Sequence, residues 1–317
     1  MVGHDRPEAR TLTWVDRGVL VYGPRKAGTT LFQNLLDGSE ELLAYPAELK
    51  LKYLASHAIE ANDITQYFAE SRIESVISSR FRVTEYKKLW EEALAKGELC
   101  SFGEFIRFDA RAVQQSLRPP AAEPQMWCAK EVGGPTDIIL SMWRNMFPHG
   151  KALFIVRDPL MVTRAVLNDR RRKGRWLSVR EIVQETLDPM RVVLHQSRYM
   201  NDPYVHLLTY EDLVQHTTST MAKVAAFLDL PYSPVFETPT VFGEAQVVRT
   251  SSRETTEIFT SVDSWVDGLT LRERCIVSWT NGIAQLHPRY RLAYGKLRAR
   301  IGQLQHPDKL AAGAIAG

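Results

Sequence analysis

The run Val19-Leu20-Val21-Tyr22 passes directly into Gly23-Pro24-Arg25-Lys26-Ala27-Gly28-Thr29-Thr30 and then into Leu31-Phe32-Gln33-Asn34-Leu35-Leu36. No other segment narrows the fold as far. A short apolar run of β-branched and aromatic residues without polar alternation reads as a strand covered on both faces, the habit of parallel sheets. Leu31, Leu35 and Leu36 share one face of a helix that opens at about Thr29. The loop between them is Gly-containing and leads into a helix N-terminus. Loop amides and the helix dipole then make a cradle for an anion.

The rest of the chain reads as further alternation. Asp37 to Tyr45 reads as a loop returning toward the sheet. Residues 49–117 carry helical periodicity, with Gly97 as a stop, and form a helical insertion or lid. Pro119 to Pro124 is a breaker. Met126–Ala129 is a short buried strand, and a helix starts at Pro135 and ends near Phe147. Ala152–Val156 is the clearest strand of all; Arg157-Asp158-Pro159 and another helix follow. Tyr204–Leu208 is a further strand, and Tyr210-Glu211-Asp212-Leu213 opens a helical stretch ending near Phe227-Leu228. Strands separated by helices predict an α/β fold, a three-layer α/β/α sandwich with a central parallel sheet and the helical insertion. One domain over 1–305 and a disordered tail over 306–317 are expected. Ligands in such sheets bind beyond the carboxyl ends of the strands.

The spacing Gly-x-x-x-x-Gly invites comparison with a Walker A loop, which sets Lys directly after the last Gly. Thr29 holds that position here, and the lysine, Lys26, precedes Gly28 by two. A P-loop kinase or NTPase using ATP, the first alternative, also wants an acidic strand end for Mg²⁺, where this chain has Arg157 before Asp158. The match of Pro24, Lys26, Gly28, Thr29 and Thr30 resembles instead the family of P-loop sulfotransferases that use 3′-phosphoadenosine-5′-phosphosulfate (PAPS). That resemblance implies a P-loop NTPase-like fold and transfer of a sulfuryl group to an acceptor hydroxyl, with 3′,5′-adenosine bisphosphate (PAP) as product. It implies that Arg25, Lys26, Ala27, Gly28, Thr29 and Thr30 hold the donor, Lys26 stabilising the bridging oxygen as it leaves. Arg157 would bind the 3′-phosphate.

The family pattern places a Ser eight positions after that Arg, and Ala165 stands there, with Arg164 and Asn168 beside it as substitutes. A non-catalytic nucleotide-binding member of the fold, the second alternative, draws its support from Ala165. The stretch Arg249-Thr250-Ser251-Ser252-Arg253, followed by Trp265, Leu269 and Thr270, resembles a later family loop. It implies that Arg253, and less directly Arg249, lie near the 3′-phosphate. Trp127-Cys128-Ala129-Lys130-Glu131 and Tyr210-Glu211-Asp212-Leu213 are further echoes, so the resemblance runs from about Val19 to Thr270.

The acceptor must lose a proton. Phenol- and steroid-type members use a His two residues after the Lys of the second strand; Val132 occupies that position. Carbohydrate and tyrosyl-protein members use a Glu about twenty residues past the loop glycine, which implies Glu48 as general base, with Glu131 second. By analogy this favours a sugar or other aliphatic alcohol, as small molecule or glycan, over an amine or phenol. The run from Arg170 to Arg175 reads either as the solvated end of a helix or as a clamp for an anionic acceptor. A net charge of +3 is too weak to argue for nucleic acid. Cys100, Cys128 and Cys275 and the eight histidines show no metal-ligand spacing, so no metal site and three reduced thiols are expected. No apolar window of signal-peptide or membrane-spanning length occurs, and the expected location is cytoplasmic.

Overall fold

The computed structural model of the protein describes residues 12–51, 73, 76, 78–97, 101–245, 248–249, 254–255, 258 and 264–305. Five strands make the central sheet: β1 (Gly18–Gly23), β2 (Leu42–Glu48), β3 (Met126–Val132), β4 (Lys151–Val156) and β5 (Val205–Thr209). Their order is β2-β3-β1-β4-β5, and every pairing is parallel. β1 is therefore central, with Leu20 opposite Ala129 of β3 on one side and Ala152 of β4 on the other. Helix α1 (Thr29–Leu36) follows β1, as its spacing predicts.

The alternation hidden in the apolar run of β1 appears as two cores. Val19 and Val21 pack with Phe32 and Leu35 of α1. Leu20 and Tyr22 face the opposite way, toward Trp90, Phe105 and Trp143. These aromatic residues come from α2 (Val83–Lys96), α3 (Phe102–Gln115) and α4 (Thr136–Met146). Each fully buried side chain of this size stabilises by roughly 1.5–3 kcal/mol relative to exposure. Within 49–117, α2 and α3 are helical, Phe81 and Leu117 form an isolated antiparallel bridge, and residues 52–72 lie outside the description.

One expectation fails in part. The stretch read as a loop as far as Tyr45 gives way at Leu42 to strand β2, which runs to Glu48 and contains Pro46. Proline cannot donate to a ladder, and β2 lies at the sheet edge, where that loss is tolerated. Its pairing with β3 shifts register between Ala44 and Glu48, the interval that holds Pro46.

Beyond β4 come α5 (Pro159–Arg172) and α6 (Val179–Gln196), and beyond β5 come α7 (Tyr210–Gln215) and α8 (Thr217–Leu228). α6 opens with a capping box in which Ser178 and Glu181 satisfy each other's backbone amides. Helices α9 (Leu271–Gln285) and α10 (Pro288–Gln305) close the described chain. Leu160, Leu167 and Leu177 pack with Val277 and Tyr290, which joins these last helices to α5 and α6.

Candidate functional site

The loop after β1 is shaped by close approach and by two left-handed residues. A Cβ on Gly23 would stand 2.5 Å from the Ile155 carbonyl oxygen of β4. Lys26 (φ 62°) and Gly28 (φ 99°) flank Ala27 in the left-handed region. Alternation of this kind turns successive N–H groups into a concave nest for an anion. Within the loop the Ala27 amide donates to the Pro24 carbonyl at 3.2 Å. The amides of Arg25, Lys26, Gly28, Thr29 and Thr30 have no acceptor among the described residues. Arg25, Lys26 and Thr30 are exposed, while Ala27 and Thr29 are buried. A row of amides left over by the fold, with a lysine in its midst, fits a group bearing several anionic oxygens.

Two cations bracket the loop. Lys26 Nζ lies 3.2 Å from Asp169 Oδ1 of α5. Arg157, directly after β4, stacks its guanidinium 4.2 Å over the Tyr210 ring and donates from Nη1 to the Lys26 carbonyl at 3.2 Å. Its Nε is buried without a partner among the described residues. Arg157 therefore sits against the loop. The two neighbours of Ala165 are occupied elsewhere: Arg164 Nε donates to the Asp267 carbonyl at 2.9 Å, and Asn168 Oδ1 accepts from Arg171 at 2.6 Å. Arg253 lies outside the described residues; Arg249 pairs by its backbone with Glu254 in a short antiparallel ladder.

The carboxyl ends of β2 and β3 hold the expected carboxylates. Glu48 stands opposite Lys130 in register and pairs with Lys50 Nζ at 3.0 Å. Lys50 is left-handed at φ 55°, and the residues around it are clamped to β3. The Leu49 amide donates to the Lys130 carbonyl at 3.1 Å, and the Leu51 amide to Glu131 Oε2 at 2.6 Å. Burial pushes the Glu131 carboxyl up to about 7, against the pull of the Leu51 N–H. Only 3% of Glu131 is exposed.

A cleft of about 740 Å³ opens beside the loop. Pro24 and Arg25 form one wall, the turn from Val132 to Thr136 another, and Val162 and Val166 of α5 a third. The fourth is a face of α6 that carries Glu181, Glu185, Asp188, Val192 and His195. The carboxylates are matched by arginines: Glu181 with Arg175 (2.7 Å), Glu185 with Arg170 (3.1 Å) and Asp188 with Arg191 (3.2 Å). His195 Nδ1 lies 3.2 Å from Asp137 Oδ2, which also accepts from Arg198 at 3.3 Å, while Tyr199 OH donates to Asp137 Oδ1 at 2.7 Å. Hydrogen bonding from Tyr199 and His195 holds the Asp137 carboxyl below its ordinary value.

The basic run is stitched into the fold. Arg170, Arg172, Lys173 and Arg175 pair with Glu185, Asp169 and Glu181, and Arg171 donates to the Gly268 carbonyl at 2.6 Å. The cleft face of α6 escapes a reading of the sequence, because carboxylates and arginines at i, i+3 and i+4 resemble any solvated helix. The signal available was the Ser178-x-x-Glu181 box, which fixes where that helix begins.

A family model described as the sulfotransferase family matches residues 18–234, about two thirds of the chain. The chain belongs to the sulfotransferase family. A sulfotransferase domain from a Synechococcus olefin synthase superposes with a TM-score of 0.52 at 14% identity, over 84% of this chain and 94% of that one, which shows a shared fold. A sulfotransferase domain from the curacin biosynthetic pathway gives 0.48 at 18% identity, over 84% and 98%. A mouse sulfotransferase complexed with PAP gives 0.43 at 13% identity, over 88% of each chain. No curated protein sequence matches this chain. Sulfuryl transfer is thus the chemistry of its family, and among the described residues no helix is long and apolar enough to cross a membrane.

Proposed function

We propose that this sulfotransferase moves a sulfuryl group from PAPS to an aliphatic hydroxyl of a small-molecule or glycan acceptor. The observation that carries the reading is the unspent row of loop amides around Lys26, next to Arg157. When bound, PAPS supplies the sulfuryl group and an anionic leaving group. The amides of Arg25, Lys26, Gly28, Thr29 and Thr30 would hold the 5′-phosphosulfate, and Lys26 would neutralise the charge that gathers on the bridging oxygen. Arg157, stacked on Tyr210, would take the 3′-phosphate, and Arg253 is the second candidate for it. Such transfer passes through a loose transition state, so the protein's part is positioning and electrostatics.

For the acceptor's proton the sequence nominates Glu48, at the end of β2. Glu131 is a weaker choice, since it is buried and already accepts the Leu51 amide. By analogy with the Glu48 type of base, an aliphatic acceptor is favoured over a phenolic one.

The test is calorimetric titration with PAP and, separately, with ATP, without added metal. Micromolar PAP binding with little ATP binding supports the reading. Tight Mg²⁺-dependent ATP binding with no response to PAP overturns it in favour of a kinase or NTPase. Replacing Lys26 by Ala should then lower turnover of PAPS by about 10²–10³-fold.

A further inference from the structure

The cleft beside the loop holds an ionisable pair that donor binding leaves unused. His195 on α6 lines the same cavity as Pro24 and Arg25 of the loop. Its Nδ1 stands 3.2 Å from Asp137 Oδ2, in the first turn of α4. Asp137 is fixed in turn by Tyr199 OH at 2.7 Å and by Arg198 at 3.3 Å. A carboxylate at Nδ1 retains the ring proton there and leaves Nε2 as a bare lone pair. The imidazole is a third exposed, enough for an acceptor to reach it.

The competing carboxylates are less well placed. Glu48 is ion-paired with Lys50 at 3.0 Å and is not among the residues lining the cleft. Glu131 is almost wholly buried and holds the Leu51 amide. On the cleft face of α6, Glu181, Glu185 and Asp188 each face an arginine. Among the described lining residues, a group that is reachable, oriented and furnished with a free lone pair is His195.

We propose that His195 accepts the acceptor's proton and that Asp137 is the positioning residue behind it; this rests on the sulfuryl-transfer reading above. In the step, a lone pair of the acceptor oxygen forms the new bond to sulfur. The bond from sulfur to the 5′-phosphate oxygen breaks, and its electron pair stays on that oxygen beside Lys26. The acceptor's O–H proton passes to His195 Nε2. The imidazolium faces Asp137, and it returns its proton to water once the products leave.

The experiment uses the full chain and its H195Q, D137N and E48Q variants. PAP release from PAPS is followed with water alone and with glycerol and 1-hexanol as probe acceptors. PAP affinity is measured by calorimetry, and the His195 tautomer by ¹⁵N NMR of the donor-free protein. The expected results are Nδ1–H in the parent, PAP affinity unchanged in H195Q, and turnover in H195Q down by about 10²-fold or more. D137N should lose part of that rate together with the Nδ1–H tautomer, while E48Q tests the rival base at the end of β2. An Nε2–H tautomer, or an active H195Q beside an inactive E48Q, overturns the assignment. A parent protein that binds no PAP instead strikes the transfer reading itself.

Discussion

Lys26 Nζ and Asp169 Oδ1 stand 3.2 Å apart, so the lysine of the loop already has an anionic partner from α5. Asp169 also accepts Lys173 at 2.9 Å and lies 3.7 Å from Arg172. Burial works against its ionisation, but the hydrogen bonds from Lys173 and Lys26 prevail and hold its carboxyl below the ordinary 3.8. A donor anion at the loop must compete with Asp169 for Lys26. The D169N variant should therefore bind PAP more tightly, by up to about fivefold, on the scale of one exposed ion pair. Its stability should barely change near neutral pH, because Lys26 is well exposed. What Asp169 does contribute is present above its unfolded value and lost as pH falls through the lowered folded one, so parent and variant should converge in acid. Calorimetry and urea melts check both; equal PAP affinities would mean that Asp169 does not oppose the donor.

Gly28 meets two constraints at once. Its φ of 99° disfavours any side chain, and a Cβ there would stand 2.5 Å from Tyr210 Cδ2. G28A should cost about 1–3 kcal/mol in denaturant unfolding, and it should abolish measurable PAP binding by moving the loop amides. Adding Y210A removes the clash but not the backbone strain, so only part of the stability should return. Complete recovery in the double variant would show that the left-handed conformation contributes nothing.

The core of this architecture was legible because local chemistry and tertiary context agree there. The loop after β1 needs its glycines for close approach to β4 and for the left-handed turn, and the helix begins at Thr29 as its periodicity implies. β2 was not legible: Pro46 reads as a breaker, and only edge placement reconciles it with a strand. Arg157 could be placed from its position after the best strand, whereas its stacking on Tyr210 depends on how β4 and β5 pair. The basic run from Arg170 to Arg175 looked like either a solvated end or a clamp. Arg172 and Lys173 meet Asp169 at i+3 and i+4 at the end of α5, whereas Arg170 and Arg175 reach Glu185 and Glu181 of α6, pairs that leave no periodic trace. His195 and Asp137 lie far apart in sequence and meet only through the packing of α6 beside α4.

Arg157 should separate 3′-phosphate recognition from the rest of the donor site. Its guanidinium stacks on Tyr210 and donates to the Lys26 carbonyl, so it both recognises an anion and braces the loop. R157A should weaken PAP binding by roughly 10- to 150-fold, the equivalent of about 1.5–3 kcal/mol for a charged hydrogen bond. R157K should recover little, because a lysine ammonium neither stacks on Tyr210 nor presents a planar fork. The decisive comparison is adenosine 5′-phosphosulfate, which lacks the 3′-phosphate. Its affinity should fall far less than that of PAP in R157A, and equal losses for both ligands would leave Arg157 only the bracing role.

Glu131 should make the protein less stable as pH rises toward neutrality. Burial raises its carboxyl from 4.5 to about 7, and the same cause raises Glu211 to about 7. The folded state thus keeps protons that the unfolded chain has released between those two values. By linkage, stability falls as pH climbs through that window and levels off above it. A shift of this size corresponds to an upper limit of about 3 kcal/mol for one group, at 1.36 kcal/mol per unit. In E131Q the amide oxygen can still accept the Leu51 N–H, while the buried charge is gone. E131Q should therefore match the parent near pH 5 and exceed it by about 1–3 kcal/mol at pH 8 in urea unfolding. A glutamine at Glu211 should gain less, because its buried Oε2 has no partner among the described residues and an amide atom there would be equally unmet. Parallel stability curves for parent and E131Q from pH 5 to 8 would place the Glu131 carboxyl at its ordinary value and assign its role to the Leu51 hydrogen bond alone.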